Sequence, residues 1–506
     1  MLFAQSFFES SVFKKRFLSD FRLDDFCHPL QEFLMPVITP TTNPLDDLQA
    51  YADSAIVKRN IPAMSVAIWK DGVLTQAAAG CLNINTGVEA TTDSIFQIGS
   101  ITKVMTSCLV MQLVDEGRVN LDKPVVHYLR DFMIADAKAT QAITVRQLLN
   151  HTNGIAGDYF PDDEGHQGNL IARFVDRCSS LPLMHPVGEM WSYSNAAFCV
   201  AGRLVEVLRG MSWYAAMQEY LFKPLGMAHA IADPKEMIRF RTAMGHVYDG
   251  DNTDRWVLPE RAFLSLGQAP VGSTPAMSAE NLIRFARAHL EAGANQQGQS
   301  WLSPESVKQM QQSQMALPKT SLISDKHTGL GWGMSSYHAG GIKTIGHGGG
   351  TNGFLSMLQV IPEQNAAIAI LTNGVRPSAI GGLTADLLTA VTGIEMQEPE
   401  PDTTVAFTEL AKIAGVYECL DTHIKVTATE GRLLAHIVYK LDPLPPLELE
   451  LRHVEALCPD EPLSFAAYNN KGERCLAIVF LKPDNAGVPQ YLFNGGRLNR
   501  RMNESI

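Results

Sequence analysis

Alternating apolar and polar residues predict strands at both ends of the first 395 residues. Residues 64–80 alternate on either side of Asp71-Gly72, a dipeptide typical of a tight hairpin turn. Residues 344–374 form strand-like runs with a turn near 362–365, and the uniformly apolar run 366–371 suits a buried strand.

Helix-like periodicity dominates between these strands. Residues 48–57, 100–116 and 382–391 each predict a helix, and Gly117 ends the second. Short helices and long polar loops alternate in a helical region at about residues 120–290. Strand-like runs therefore flank a region in which helix signals dominate.

The pattern changes after residue 395. Residues 396–404 are acidic, contain proline and lack periodicity, as in a linker. Residues 405–506 alternate in short runs separated by turn residues, which predicts a small all-β barrel. The predicted organisation is an N-terminal extension (1–45) that folds as an amphipathic helix on the main domain, a main domain (46–395), the linker and the barrel.

Composition and charge narrow the function classes. The chain has 506 residues, of which 46% are hydrophobic and 19% charged, as in soluble globular proteins with two or three domains. A net charge of −12 disfavours nucleic acid and anionic membrane surfaces as partners. No apolar run of about 18 residues predicts a transmembrane helix.

The start of the chain and the cysteines favour a cytoplasmic location. The cationic cluster at residues 14–16 follows the apolar stretch, whereas a secretory signal has the opposite order. The eight cysteines form no C-x-x-C pair, and several lie in apolar runs. We therefore expect buried free thiols in a reducing compartment.

The first candidate for chemistry is the pair Ser100 and Lys103. Three residues span almost one helical turn, so both side chains share a face. A buried lysine of lowered pKa can take the proton of a serine, and the helix start offers backbone N–H groups to an oxyanion. The alternative interpretation of Ser100 is a helix N-cap, and the spacing recurs at Ser11 and Lys14.

Two further motifs follow along the chain. Tyr193 could relay a proton and Asn195 could donate to a substrate carbonyl, although a packed Tyr and a helix cap explain them equally well. His347 precedes Gly349 and Gly350, whose bare backbone could approach a ligand, with the N–H of Gly350 completing an oxyanion hole. The alternative there is a plain glycine turn.

The spacing of Gly348, Gly350 and Gly353 also fits a G-x-G-x-x-G fingerprint. A dinucleotide site requires a helix after the glycines, whereas a strand-like run follows here. His151 and His166 lie in the loop region without metal-ligand spacing. The sequence predicts neither a metal nor an organic cofactor.

Taken in order, S-x-x-K, Y-x-N and H-x-G resemble the serine β-lactamase-like, penicillin-recognising superfamily. FQIGSITKVMTSCLVMQLVDEGRVNLDKPV, ITVRQLLNHTNGI, PVGEMWSYSNAAFCVAG, PLGM and GHGGGTNGF resemble its class C-like branch, which includes esterases, D-amino-acid peptidases and amidases. The resemblance covers about residues 46–395. The C-terminal region is similar to the lipocalin-like barrel of some members.

The resemblance implies an α/β (α+β) fold, in which an antiparallel sheet flanked by helices is combined with an all-helical region. It also implies a site in the cleft between the two. It implies that Ser100 is the nucleophile, that Lys103 shares its proton, and that Tyr193 acts as base or acid. It assigns Asn195 to substrate positioning and places His347 where the family has the lysine of K-T-G. A small ester or peptide-like substrate would acylate Ser100, and water or another nucleophile would release the acyl group.

The departures from the family pattern leave several functions open. No K-T-G triplet and no E-x-x-L-N element occur, which favours an esterase or peptidase over a β-lactamase or D,D-peptidase. An acyl transferase would use the same acyl-enzyme, and a non-catalytic scaffold would keep the same fold. The barrel is either a spacer or dimerisation surface, or a lid that limits substrate size, and a homo-oligomer is compatible with the sequence.

Overall fold

A computed structural model describes residues 43–161, 169–249, 255–404, 406–440, 446–457 and 463–502. Residues 1–42 of the N-terminal extension, with its expected amphipathic helix, lie outside these ranges, as do His166 and Cys458. Cys27 belongs to the same undescribed part of the extension. We call residues 43–404 the sheet–helix part and residues 406–502 the barrel. Both belong to one compact unit that spans residues 42–506.

The helices carry most of the core of the sheet–helix part. In the described ranges the α-helices are α1 (Leu48–Lys58), α2 (Thr102–Asp115), α3 (Ala137–Ala142), α4 (Val145–Leu149), α5 (Leu170–Arg177), α6 (Asn195–Arg209), α7 (Trp213–Met217), α8 (Ala279–Leu290), α9 (Pro304–Met310), α10 (Pro377–Thr392) and α11 (Leu410–Ile413). Short 3₁₀ helices include Gly99–Ile101 and Leu266–Val271.

The strands form one large antiparallel sheet, two small sheets and the barrel. They are β1 (Ala63–Lys70), β2 (Val73–Asn83), β3 (Val88–Glu89), β4 (Phe96–Gln97), β5 (Ala230–Ile231), β6 (Val247–Tyr248), β7 (Trp256–Val257), β8 (Ala276–Met277), β9 (Met315–Ala316), β10 (Ser324–Thr328), β11 (Gly333–Tyr337), β12 (Lys343–Thr351), β13 (Phe354–Ile361), β14 (Ala366–Thr372), β15 (Gly415–Glu418), β16 (Thr422–Thr429), β17 (Arg432–Tyr439), β18 (Leu447–His453), β19 (Ser464–Tyr468), β20 (Arg474–Pro483), β21 (Pro489–Asn494) and β22 (Arg497–Arg501). The large sheet has the order β3-β2-β1-β14-β13-β12-β11-β10-β9.

The two chain regions predicted to form strands do meet in this sheet. Lys70 pairs with Val73 across a two-residue turn in which Asp71 and Gly72 both have positive φ, the geometry that Asp-Gly favours. The apolar strand β14 is buried over its whole length between β1 and β13. The predicted antiparallel sheet flanked by helices is confirmed.

Helix α10 begins at Pro377, five residues before the predicted start. Gly381 and Gly382 weaken the local helix preference, which is why the pattern placed the start after them. A side chain at residue 382 would lie 2.6 Å from the Arg59 guanidinium, and Arg59 pairs with Asp386 on the same helix. Packing on the sheet thus overrides the glycines.

The barrel is closed by eight strands in chain order, β15 to β22. Its interior is filled by buried aliphatic and aromatic side chains, among them Tyr417, Phe465 and Phe480. The predicted all-β barrel is therefore confirmed, and it is a packed core.

The hairpin of β21 and β22 packs against the sheet–helix part. Phe493 and Leu498 of the hairpin form one buried cluster with Met190, and Trp191 packs on it. The linker is also held, because Glu398 accepts a hydrogen bond from the Leu322 backbone at 2.9 Å. In the part of the chain that the structure describes, no helix is long and apolar enough to cross a membrane.

Candidate active site

Ser100 lies in the middle of the 3₁₀ turn Gly99–Ile101, directly before α2. The turn has no side-chain cap, so the N-cap interpretation of Ser100 is wrong. Backbone packing fixes the turn, since a Cβ at Gly99 would lie 2.5 Å from the Gly350 nitrogen and one at Gly272 would lie 1.9 Å from the Gly99 oxygen. Ser100 is thereby wedged between β12 and the 3₁₀ helix that ends before Gly272.

Lys103 is fully buried one turn further on and points back to Ser100. Its Nζ donates to Ser100 Oγ at 2.9 Å and to the Val271 carbonyl at 3.1 Å. The pKa of Lys103 is lowered to about 7, mainly by burial. Arg497 also acts to lower it, while Cys199 and Asp158 act in the opposite direction. A large neutral fraction of this amine is therefore present near pH 7.

Tyr193 completes the arrangement around Ser100. Its phenol interacts with the Ser100 side chain, and its ring lies 4.9 Å from Lys103 Nζ. Burial raises the pKa of Tyr193, so the phenol is protonated at neutral pH. The next residue, Ser194, caps α6 by accepting from the Ala197 backbone, so a helix cap and a site tyrosine occur side by side.

Asn195 is the first residue of α6 and lines the same cavity as Ser100. Its Nδ2 donates to Asp158 Oδ1 at 2.6 Å. Because an ionised carboxylate only accepts hydrogen bonds, this contact fixes which amide atom is nitrogen. Asn195 was expected to donate to a substrate carbonyl. One N–H of its amide group is already hydrogen-bonded to Asp158.

His347 lies on β12 facing Tyr193, with the two ring centroids 6.0 Å apart. Burial and the neighbouring Lys103 lower the pKa of His347 to about 4, although its contact with the Gly348 carbonyl acts against this. His347 is consequently neutral at pH 7 and does not replace the charge of a lysine at this position.

The glycines after His347 bring β12 close to Ser100. A Cβ at Gly349 would lie 1.9 Å from the Ile98 oxygen, and Ser356 on β13 hydrogen-bonds the same oxygen at 2.8 Å. Gly350 contacts the Ser100 turn, as described above. Strand β13 follows the glycines directly, which confirms that they are not a dinucleotide fingerprint.

These residues open onto a cavity of about 550 Å³. Its lining comes from the sheet, the helical region and the barrel, and includes the predicted residues Ser100, Tyr193, Asn195, His347, Gly349 and Gly350. Lys103 lies behind Ser100, outside the lining. A smaller cavity of about 270 Å³ adjoins on the far side of Tyr193 and His347.

The barrel supplies one wall of the site. The sequence alone did not decide between the two possible roles of the barrel. Gly495, Gly496 and Arg497 line the cavity, and the Tyr193 backbone N–H donates to the Gly496 carbonyl at 3.0 Å. The Arg497 guanidinium lies 4.7 Å from the Tyr193 ring centroid. The barrel thus contributes directly to the wall of the cavity.

Sequence reasoning missed Asp158 and Arg497 and undervalued His151. The His151 ring stacks on Tyr193 with centroids 4.4 Å apart, and its Nδ1 accepts from the Ser194 backbone at 3.0 Å. Burial and the charge of Lys103 keep its pKa well below the usual range. The described residues contain no group of three His, Cys, Asp or Glu side chains arranged for a metal.

A protein-family model described as Beta-lactamase matches residues 45–391. The chain belongs to this family. Penicillin-binding protein 4 of Amycolatopsis lactamdurans is 38% identical over 368 residues, which are 72% of this chain and 95% of that protein. Unguisins hydrolase ungD' of Aspergillus campestris is 26% identical over 67% of this chain, which spans just under two thirds (64%) of that protein.

The solved structure of SurE resembles the chain beyond the region that the family model matches. It superposes with a TM-score of 0.72 at 26% identity, covering 90% of this chain and 99% of SurE. SurE with D-Leu gives a TM-score of 0.70 at the same identity, covering 90% of this chain and 98% of SurE. The predicted resemblance is confirmed, and the chain is a β-lactamase-family, penicillin-binding-like serine hydrolase.

Proposed function

We propose that this enzyme cleaves a peptide-like amide or an ester through an acyl-enzyme on Ser100. The observation that carries the proposal is the contact of Ser100 with Lys103 and Tyr193. The Lys103 amine is partly neutral near pH 7, whereas the Tyr193 phenol is protonated. A neutral amine can accept the serine proton, and a protonated phenol can donate one.

Acylation follows from these two groups. Ser100 Oγ attacks the carbonyl carbon while its proton moves to Lys103 Nζ. The bond between the carbonyl carbon and the leaving nitrogen or oxygen then breaks, and Tyr193 protonates the leaving group. Lys103 returns its proton to Tyr193. The N–H groups of Ser100 and Gly350 stabilise the oxyanion.

Deacylation reverses the roles with water as the nucleophile. Neutral Lys103 accepts a proton from the water as the water oxygen bonds to the acyl carbon, and the protonated Lys103 then gives that proton to the departing Ser100 oxygen. An amine in place of water would give acyl transfer with the same balance of atoms.

Arg497 suggests the substrate class. Asp158 and the Gly495 carbonyl engage three of its five N–H groups, which leaves two for a substrate carboxylate. The arginine thus offers N–H donors to a carboxylate in a site where His347 is neutral. Together with the similarity to SurE, whose structure includes a complex with D-Leu, this favours peptide-like substrates that carry a D-amino acid.

The direct test is labelling with a fluorophosphonate probe, followed by intact mass and peptide mapping. We expect one adduct on Ser100 and none in Ser100→Ala. Ser107→Ala is the matched control, because Ser107 is a nearby serine that is buried on α2 and lies outside the cavity lining. Absence of an adduct in the folded protein would overturn the proposal in favour of a non-catalytic scaffold.

Turnover then separates the remaining activities. We expect hydrolysis of D-amino-acid amides and p-nitrophenyl esters, with slower turnover of a chromogenic cephalosporin. A cephalosporin rate equal to the ester rate would indicate a β-lactamase instead. Acyl transfer would appear as a new amide product when a free amine is added. We also propose a homo-oligomer, which sedimentation velocity would test.

A further inference from the structure

The Asp158 carboxylate joins three parts of the chain at one point. Its Oδ1 accepts from Asn195 Nδ2 at 2.6 Å and from Arg497 Nη2 at 3.1 Å, while its Oδ2 accepts from Arg497 Nε at 2.6 Å. Asp158 lies in the loop between α4 and α5, Asn195 begins α6, and Arg497 begins β22 of the barrel. The contact with Arg497 is bidentate, the strongest arrangement of this pair.

Because Asp158 is buried, its contact with Arg497 determines the net charge at this point of the structure. The Asp158 side chain is only 4% exposed, so its negative charge requires compensation from within the protein. The partner is Arg497, which comes from the barrel. Without the barrel arginine, a buried carboxylate would lie beside Asn195 and close to Lys103.

We propose that Asp158 is a positioning residue, which clamps Arg497 of the barrel and Asn195 of the helical region into the active site. The inference rests on the proposed function of Ser100. Asp158 acts through its two partners, because Arg497 covers the Tyr193 ring and Asn195 lines the cavity. The barrel is accordingly a component of the site, attached through one carboxylate.

The clamp also sets the charge that Lys103 experiences. The groups that face Lys103 are Ser100, Tyr193, Cys199, His151, His347, Arg497 and Asp158. Only the last two carry opposite full charges at neutral pH in this set. Arg497 lowers the pKa of Lys103 and Asp158 raises it, so removal of either charge leaves the other uncompensated.

The test compares the pH dependence of kcat/KM in two variants. In Arg497→Gln, loss of the positive charge raises the pKa of Lys103. The acidic limb of the kcat/KM profile therefore moves to higher pH. In Asp158→Asn, loss of the negative charge lowers that pKa, and the limb moves to lower pH. We expect each shift to be about half a unit or more.

A matched pair elsewhere provides the control. Asp122 and Arg146 form the same bidentate contact, at 2.6 and 3.0 Å, outside the cavity lining. Asp122→Asn and Arg146→Gln should leave the acidic limb in place. Arg497→Lys should also keep the limb near its original pH, because it retains the charge, while kcat/KM falls with the loss of the bidentate geometry.

The outcomes separate this inference from the proposed function. Shifts in the same direction, or none, in Arg497→Gln and Asp158→Asn would overturn the clamp even if Ser100 is acylated. Failure of Ser100 acylation in the unaltered protein would overturn the proposed function first. If Asp158→Asn does not fold, Arg497→Gln alone tests the clamp. An acidic limb of kcat/KM that stays at its original pH in Arg497→Gln would also contradict the clamp.

Discussion

Burying an amine next to Ser100 has a cost in stability. Keeping Lys103 neutral when its pKa falls from 10.5 to about 7 costs about 5 kcal/mol at neutral pH. Two hydrogen bonds offset part of that cost. The residue that the chemistry needs most is thus one that the fold would be more stable without.

Lys103→Met should therefore stabilise the protein while abolishing Ser100 labelling. We expect a gain of about 1–3 kcal/mol at pH 7 in urea unfolding, because methionine fills the space without a charge to desolvate. Between pH 7 and 10.5 the unfolded chain binds more protons at Lys103 than the folded chain, so the stability of the unaltered protein rises with pH. The same pH slope in the variant would contradict this assignment.

The neutral state of His347 leads to a second expectation. With its pKa at about 4, His347 should not titrate in the physiological range. His347→Gln should keep the shape of the kcat/KM profile between pH 6 and 9, with at most a change in height. A limb that disappears in this variant would show that His347 carries the essential proton.

Sequence reasoning located the residues of the three motifs because each motif is compact. The structure brings Ser100, Lys103, Tyr193 and His347 together; their catalytic roles stay predictions. Asp158 and Arg497 could not be found in this way, since they are 339 positions apart and neither has a distinctive neighbourhood. An ion pair between such residues can be recognised only when tertiary packing has brought the two side chains together.

Among the elements, β12 is the one whose sequence is most tightly constrained by a neighbour. Gly349 faces the Ile98 carbonyl so closely that any side chain must push the Ser100 turn away. Gly348, one position earlier, points toward the flexible end of Met357 at 3.3 Å. Neighbouring glycines in one strand thus have different requirements.

Substitution by alanine should reveal that difference. Gly349→Ala is expected to slow Ser100 labelling by about 100-fold or more, because displacement of the nucleophile by an ångström has effects of that order. Gly348→Ala, the matched control, should label within a few-fold of the unaltered protein, with circular dichroism confirming that both are folded. Equal rates in the two variants would contradict the packing argument.

Helix ends were harder to predict than helix existence. The 3₁₀ turn before α2 and the early start of α10 both depend on contacts from distant residues, such as the strand against Gly99 and Arg59 over Gly382. Local propensity carries no information about either contact. The hairpin at Asp71-Gly72 was predictable because its turn chemistry is local.

At the scale of the whole molecule, the sheet–helix part and the barrel share a buried cluster. Phe493→Ala should cost about 3 kcal/mol in urea unfolding, because Phe493 is buried against Trp191 and Met190. It should also slow Ser100 labelling as the Arg497 hairpin loosens. Leu447→Ala, on the exposed face of β18, is the control and should change neither quantity.

The position of Arg497 on the last strand of the barrel has a consequence for biosynthesis. The ribosome makes Asp158 hundreds of residues before its partner, so the nascent sheet–helix part emerges with a carboxylate that nothing yet neutralises. The cavity acquires its final wall only when the hairpin of β21 and β22 arrives.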